Sequence, residues 1–279
     1  MSISASMVKD LRDKTGAGMM DCKKALEECG GDTEKAVDWL RQKGLSKAAK
    51  RADRATSEGI IAHCVKEGGT LTVLVEVKCE TDFVARGEKF KEFAATVAER
   101  VADTNPAGLD DEALNLRELL NETISATGEN ITLGRFVRMR AENGIIGCYV
   151  HANGKIASLV DVKSAAPAGQ LQDFAKNVAM QIAAASPLAL DMDSLDPALV
   201  EREREVYRQK AREEGKPENI IEKIADGAVK KYAKDVCLLD QPYIRDDKMS
   251  IRDLMQQTAK AVGSPVSLGR FVRMQLGAE

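Results

Sequence analysis

The seven residues Leu133-Gly134-Arg135-Phe136-Val137-Arg138-Met139 occur again, unchanged, as Leu268 to Met274. Other matches fall in step with them. Gly59-Ile60-Ile61 corresponds to Gly144-Ile145-Ile146, and Val75-Glu76-Val77-Lys78 to Val160-Asp161-Val162-Lys163, both pairs 85 residues apart. Phe93, Val97 and Val101 share the spacing of Phe174, Val178 and Ile182, 81 residues on, and Leu116-Arg117-Glu118-Leu119 parallels Ile251-Arg252-Asp253-Leu254 at a distance of 135. Chance does not produce an identical block in register with several further matches, so the body of the chain reads as one unit written twice. In each copy β-branched runs flank a turn, Glu67-Gly68-Gly69 in the first and Ala152-Asn153-Gly154 in the second, as in a hairpin. A helix follows in each. The expected fold class is α+β, with two small antiparallel sheets and their covering helices. The repeated block is expected to be a closing strand, with Phe136 and Phe271 packed inward and Gly134 and Gly269 allowing close backbone approach.

Ahead of the repeat, residues 1–46 are expected to form a small head of three helices. Met7, Val8 and Leu11 share one face before Gly16. Cys22, Ala25, Leu26 and Cys29 make one buried stripe, ended by Gly30-Gly31. Asp32 is the expected N-cap of the third helix, which turns Ala36, Val37 and Leu40 inward and is expected to stop at Gly44. Met19 and Met20, beside the Gly16-Ala17-Gly18 turn, have two readings: an adaptable apolar contact surface, or a cap on the bundle. Residues 47–57 hold Lys47, Lys50, Arg51 and Arg54 and read as a solvated, basic helical linker. The first α+β unit then occupies 58–141 and the second 142–279.

The two copies differ in two places. Between its helix and its closing block the second copy is about fifty residues longer. Pro197 to Glu214, Gly215-Lys216-Pro217 and Glu218 to Asp235 read as helix, turn and helix, an antiparallel coiled-coil-like hairpin within about 190–240. Ile220, Ile221, Ile224, Ala225, Ala228, Val229 and Tyr232 stripe its second arm, and Leu199, Val206 and Ala211 answer from the first. It is either an interaction arm or a self-paired appendage. The other difference lies after the second strand. There the first copy carries Cys79-Glu80-Thr81-Asp82-Phe83-Val84-Ala85-Arg86, where the second has only Ser164-Ala165-Ala166-Pro167-Ala168-Gly169. The fold tolerates a bland turn at this corner, so an acid and an aromatic there are expected to form a protruding contact. A helix cap at Thr81 or Asp82 with locally packed Phe83 is the competing structural explanation.

Composition narrows the function classes. Apolar residues make up 44% of the 279 and charged residues 30%, an ordinary globular profile, and the net charge of −3 argues against direct nucleic-acid binding. No bilayer-length apolar window and no targeting leader is evident, so neither a membrane partner nor export is expected. Six scattered cysteines suggest reduced thiols in a cytoplasm. His63 and His151 are the only histidines, and there is no Gly-rich phosphate loop; no cofactor, no metal and no catalytic residue is expected. An enzyme working through carboxylates is the minority alternative. The sequence leaves monomer and dimer both open.

Thr15-Gly16-Ala17-Gly18-Met19-Met20-Asp21-Cys22-Lys23-Lys24-Ala25-Leu26 resembles the opening signature of the translation elongation factor Ts family, and Thr81-Asp82-Phe83-Val84 resembles its second signature. The resemblance runs in order through head, tandem units and hairpin. It implies a non-enzymatic guanine-nucleotide exchange factor for elongation factor Tu, with a ubiquitin-associated-like (UBA-like) head on the partner's nucleotide domain and the second unit on a distal domain. It further implies that Thr81, Asp82, Phe83 and Val84 dislodge the partner's magnesium ion, with Met19 and Met20 as weaker contacts. Some family members continue into a C-terminal helix; this sequence stops at Leu276 to Glu279, so contacts made by such a helix are not expected. A scaffold or ubiquitin-like-fold binder acting through the head alone is the alternative function.

Overall fold

The computed structural model describes residues 3–278, apart from the side chains of 45–47 and 49. Three helices come first: α1 (Ala5–Thr15), α2 (Met19–Glu28) and α3 (Thr33–Ala49). Ser4 caps α1 by accepting from the Met7 amide, and Gly16 closes it at φ 64°, the left-handed geometry in which glycine carries no steric penalty. Asp32 caps α3 by accepting from the Lys35 amide at 3.1 Å. Val8, Leu11, Cys22, Ala25, Leu26 and Ala36 form the head's core.

Gly44 does not stop α3. The helix runs through it to Ala49, because Gly44 is buried in the helix interior at a close approach and stands at no turn. Nor are residues 50–57 a solvated helix. Arg51 donates to the Ile124 carbonyl at 3.2 Å, and the Asn130 side-chain amide donates to the carbonyls of Ala52 and Arg54. These bonds lay the segment along the first unit. The side chain of Lys47 lies outside the described residues.

The body contains β1 (Glu58–Lys66), β2 (Leu71–Cys79), α4 (Asp82–Arg86), α5 (Glu88–Thr104), α6 (Arg117–Thr127) and β3 (Ile131–Arg140), then β4 (Ile145–Val150), β5 (Ile156–Lys163), α7 (Ala168–Ala185), α8 (Pro197–Glu213), α9 (Glu218–Val236), β6 (Pro242–Tyr243), β7 (Asp246–Ser250), α10 (Ile251–Val262) and β8 (Ser267–Gln275). The fold is α+β. Two antiparallel three-stranded sheets have the orders β1-β2-β3 and β4-β5-β8. Their central strands shift register at matching points, Val75/Val77 and Val160/Val162. The residues inside those shifts, Glu76 and Asp161, occupy the space that side chains at Gly134 and Gly269 would need. Phe136 and Phe271 are partly buried against the two helix-facing cores.

Each sheet buries one face under its helices: Phe90, Phe93, Val97 and Val101 of α5 cover the first, and Leu171, Phe174, Val178 and Ile182 of α7 the second. The opposite faces meet each other through Ile61, Leu74, Met139, Ile146, Leu159 and Met274. That is why β2 and β5 are buried on both faces along most of their length. The second hairpin's turn also docks on the first sheet's edge, where the Ile61 amide donates to the Gly154 carbonyl at 2.7 Å.

Residues on either side of α8 and α9 come back together. The Leu188 amide donates to Val236 at 2.8 Å and the Leu238 amide to Ala189 at 2.9 Å. The arms pack through Ala211, Ile221, Ala225 and Val229. Leu199, Val206 and Ile224 are exposed, contrary to the expected stripe. In their stead Arg208 holds Glu222 through two nitrogens, at 2.8 and 3.0 Å, and also bonds Glu201 and Glu205.

Candidate functional site

Where β2 ends, the chain turns through Glu80 and Thr81 into α4. Thr81 is the N-cap, its hydroxyl accepting from the Val84 amide at 3.4 Å. Asp82 is half-exposed in the first turn, where a negative charge favours the helix, and pairs with Arg86 one turn on at 2.9 Å. Val84 packs partly into the first unit's core and Ala85 is buried. Between Asp82 and Val84, Phe83 is 84% exposed. Thr81 is therefore the cap that one structural explanation required, but Phe83 is not locally packed.

A helix of five residues does not hold itself together in water, so its base must be anchored from outside. Glu129, in the turn between α6 and β3, supplies the anchor. One carboxylate oxygen accepts from the amides of Glu80 and Thr81 at 3.1 and 3.0 Å, and the other accepts from the Thr81 hydroxyl at 2.6 Å. In return Glu80 accepts from the Asn130 amide at 2.6 Å and pairs with Arg54 at 3.4 Å. Beneath them Cys79 donates to the Thr81 carbonyl at 3.2 Å, and burial, aided by the negative charge of Glu129, pushes its thiol up to about 11. That thiol is protonated and inert near neutral pH.

Met19 and Met20 open α2 and are 56% and 74% exposed, so they do not cap the bundle's core. The head's Gly16 turn lies against the Lys89 ammonium group in the first turn of α5, just beyond α4. Beside α4 a cleft of about 870 Å³ runs between β1 and the 151–155 turn, with His63, His151, Asp82 and Arg86 among its walls. Burial pulls the His63 pKa down, favouring the neutral ring, and the Tyr149 hydroxyl lies 3.2 Å from His151 Nδ1. Among the described residues no group of three His, Cys, Asp or Glu is placed to hold a metal ion, and no helix is long and apolar enough to cross a membrane.

Glu129 was missed in the sequence. A signal was there: 135 residues on, in the register of the repeated block, Glu129-Asn130 is replaced by Ser264-Pro265, just as the acid–aromatic corner is replaced by Ala165-Ala166-Pro167.

Residues 80–278 match the family model for elongation factor Ts. Curated relatives named elongation factor Ts include those of Lawsonia intracellularis (58% identical over all of both chains) and Nitratidesulfovibrio vulgaris strain DP4 (59%, all of this chain and 97% of the relative). That of Clostridium novyi is 44% identical over 99% of this chain and 93% of its own. A family model that matches most of the chain, and relatives of the same name aligned along its whole length, place this chain in the elongation factor Ts family.

Proposed function

We propose that this chain is a guanine-nucleotide exchange factor for elongation factor Tu, working in the cytoplasm and catalysing no covalent step. The observation that carries this is Phe83. A large aromatic side chain stands in solvent on a short helix whose base is held by four carboxylate hydrogen bonds, an expensive arrangement for a residue with no partner. A GTPase holds GDP through backbone donors, a lysine and magnesium. A wedge that enters between two of its helices displaces the groups that hold that ion, and Asp82 takes over hydrogen bonds that had fixed the helices. Factor and nucleotide then weaken each other's binding by the same ratio, and incoming GTP resolves the complex.

In this proposal Thr81, Asp82, Phe83 and Val84 form the magnesium-dislodging segment. Met19 and Met20, on a UBA-like head, make a weaker contact with the nucleotide domain, and the second unit reaches a distal domain. The matched register shifts over Glu76 and Asp161, each beside its glycine, support a duplicated origin for the two units. A head that binds alone is disfavoured by α3, which continues into the first unit's packing at Ala48. The deciding experiment is release of fluorescent GDP from purified elongation factor Tu, with and without this protein. No acceleration would reject the proposal.

A further inference from the structure

We propose that Glu129 is a positioning residue for exchange: it sets the direction in which Phe83 projects, without touching the partner itself. This rests on the exchange function proposed above. Phe83 is 84% exposed, so its direction is set chiefly by the backbone of α4. That backbone is fixed at Thr81. The amide and hydroxyl of Thr81 both donate to Glu129, its hydroxyl also accepts from Val84, and its carbonyl accepts from Ala85 at 3.2 Å and from the Cys79 thiol. Every polar group of Thr81 is thus used, and Glu129 supplies the bonds that come from outside the local segment.

The clasp is reciprocal. Glu80 returns a carboxylate to the Asn130 amide, and the buried Asn130 side chain ties the same turn to Ala52 and Arg54. Two chain segments therefore each satisfy the other's backbone donors with a charged acceptor, the stronger kind of hydrogen bond. The second unit is an internal control. It has no aromatic at the corner, and it has neither carboxylate of the clasp: Ala165 stands for Glu80 and Ser264 for Glu129. Its sheet closes without them, with Lys163 still paired to Ser267. The clasp accompanies the wedge, not the fold. A preorganised wedge binds more tightly because its ordering cost has been met before encounter.

The test uses the full chain with Glu129→Ala, Glu129→Gln, Phe83→Ala and the double variant Phe83→Ala/Glu129→Ala. It measures fluorescent GDP release from elongation factor Tu as a function of factor concentration, together with amide hydrogen exchange at Glu80 and Thr81. Glu129→Ala is expected to raise the half-saturating concentration about tenfold, leave the maximal rate within about twofold, and speed exchange at both amides. Glu129→Gln keeps one acceptor oxygen and is expected to recover part of the loss. On the Phe83→Ala background, Glu129→Ala is expected to add less than about twofold, because the clasp acts mainly through the direction of the ring. A full, multiplicative loss on that background would overturn the proposal, as would unchanged half-saturation in Glu129→Ala with its amides deprotected. If Glu129→Ala does not fold, Glu129→Gln carries the same comparison, and a multiplicative loss in it on the Phe83→Ala background overturns the proposal. If instead Phe83→Ala alone leaves release unchanged, the exchange function assigned to the corner fails, whatever the amides report about the clasp.

Discussion

Gly44 lies so close to Ser125 that a β-carbon on the glycine would stand 2.7 Å from the serine hydroxyl oxygen. Here α3 of the head packs on α6 of the first unit, with Arg41 ion-paired to Glu118 at the start of α6. Gly44→Leu is expected to push the helices apart and cost about 1–3 kcal/mol, the usual range for overpacking. A lower midpoint in thermal unfolding, with a shift in the emission of Trp39 on the same helix, is the check. A chain beginning at residue 45 should still melt cooperatively but at a lower temperature, since it loses the turns that hold Ala48 in the core. An unchanged midpoint would show that the head lends the body no stability.

Phe83→Ala should leave the melting temperature nearly unchanged, because a side chain 84% exposed gives up little burial when removed. Partner-stimulated GDP release should fall about thirtyfold, corresponding to about 2 kcal/mol for an aromatic anchor. Asp82→Ala should act in the same direction and less than additively. Early melting with normal release would make the corner a helix cap and nothing more.

Replacing 197–235 with a short Gly-Ser loop should preserve the body's fold, since the bonds from Leu188 and Leu238 that close the stem survive in the flanking residues. We expect exchange to stay within tenfold of the full chain. A larger drop, beyond about 1.4 kcal/mol, would make the hairpin part of the exchange surface.

The hairpin itself should be sensitive to acid and salt. Hydrogen bonds from Arg208 hold the Glu201 and Glu222 carboxyls below the ordinary value of 4.5. Their folded-state pKa is depressed, so this stabilisation is complete above that value and is lost as pH falls through the depressed range beneath it. These groups are solvent-exposed, so high salt should weaken the pairing as well. Protection factors for amides in α8 and α9 should fall below about pH 4.5 and at molar salt, while α5 and α7 stay protected.

Much of this architecture could be read in advance because it rests on local rules. The repeated block, the Asp32 cap and the hairpin's glycine turn each depend on residues near in sequence. The exposure of Phe83 was legible too, since the second copy closes without an equivalent side chain. What escaped was tertiary. Gly44 resembles a helix stop, and only the proximity of Ser125 explains a glycine in mid-helix. Leu199 and Val206 fit a helical stripe, but they are exposed, and the arms are joined by Arg208 to Glu222 and by buried Ala211. Glu129 acts on residues 48 and 49 positions away, beyond the reach of helical or strand periodicity, and only the comparison of the two copies marks it.

The closed stem of the hairpin also bears on how quickly this chain can assemble. To complete the second sheet, β8 must find β5 after a long excursion, and the entropic cost of closing a loop rises with the length left free. An antiparallel helix pair forms from local contacts well before distant strands meet. Once Leu188 and Leu238 have made their bonds to Val236 and Ala189, the excursion is tied off at its root. The search for β5 is then made by a much shorter chain.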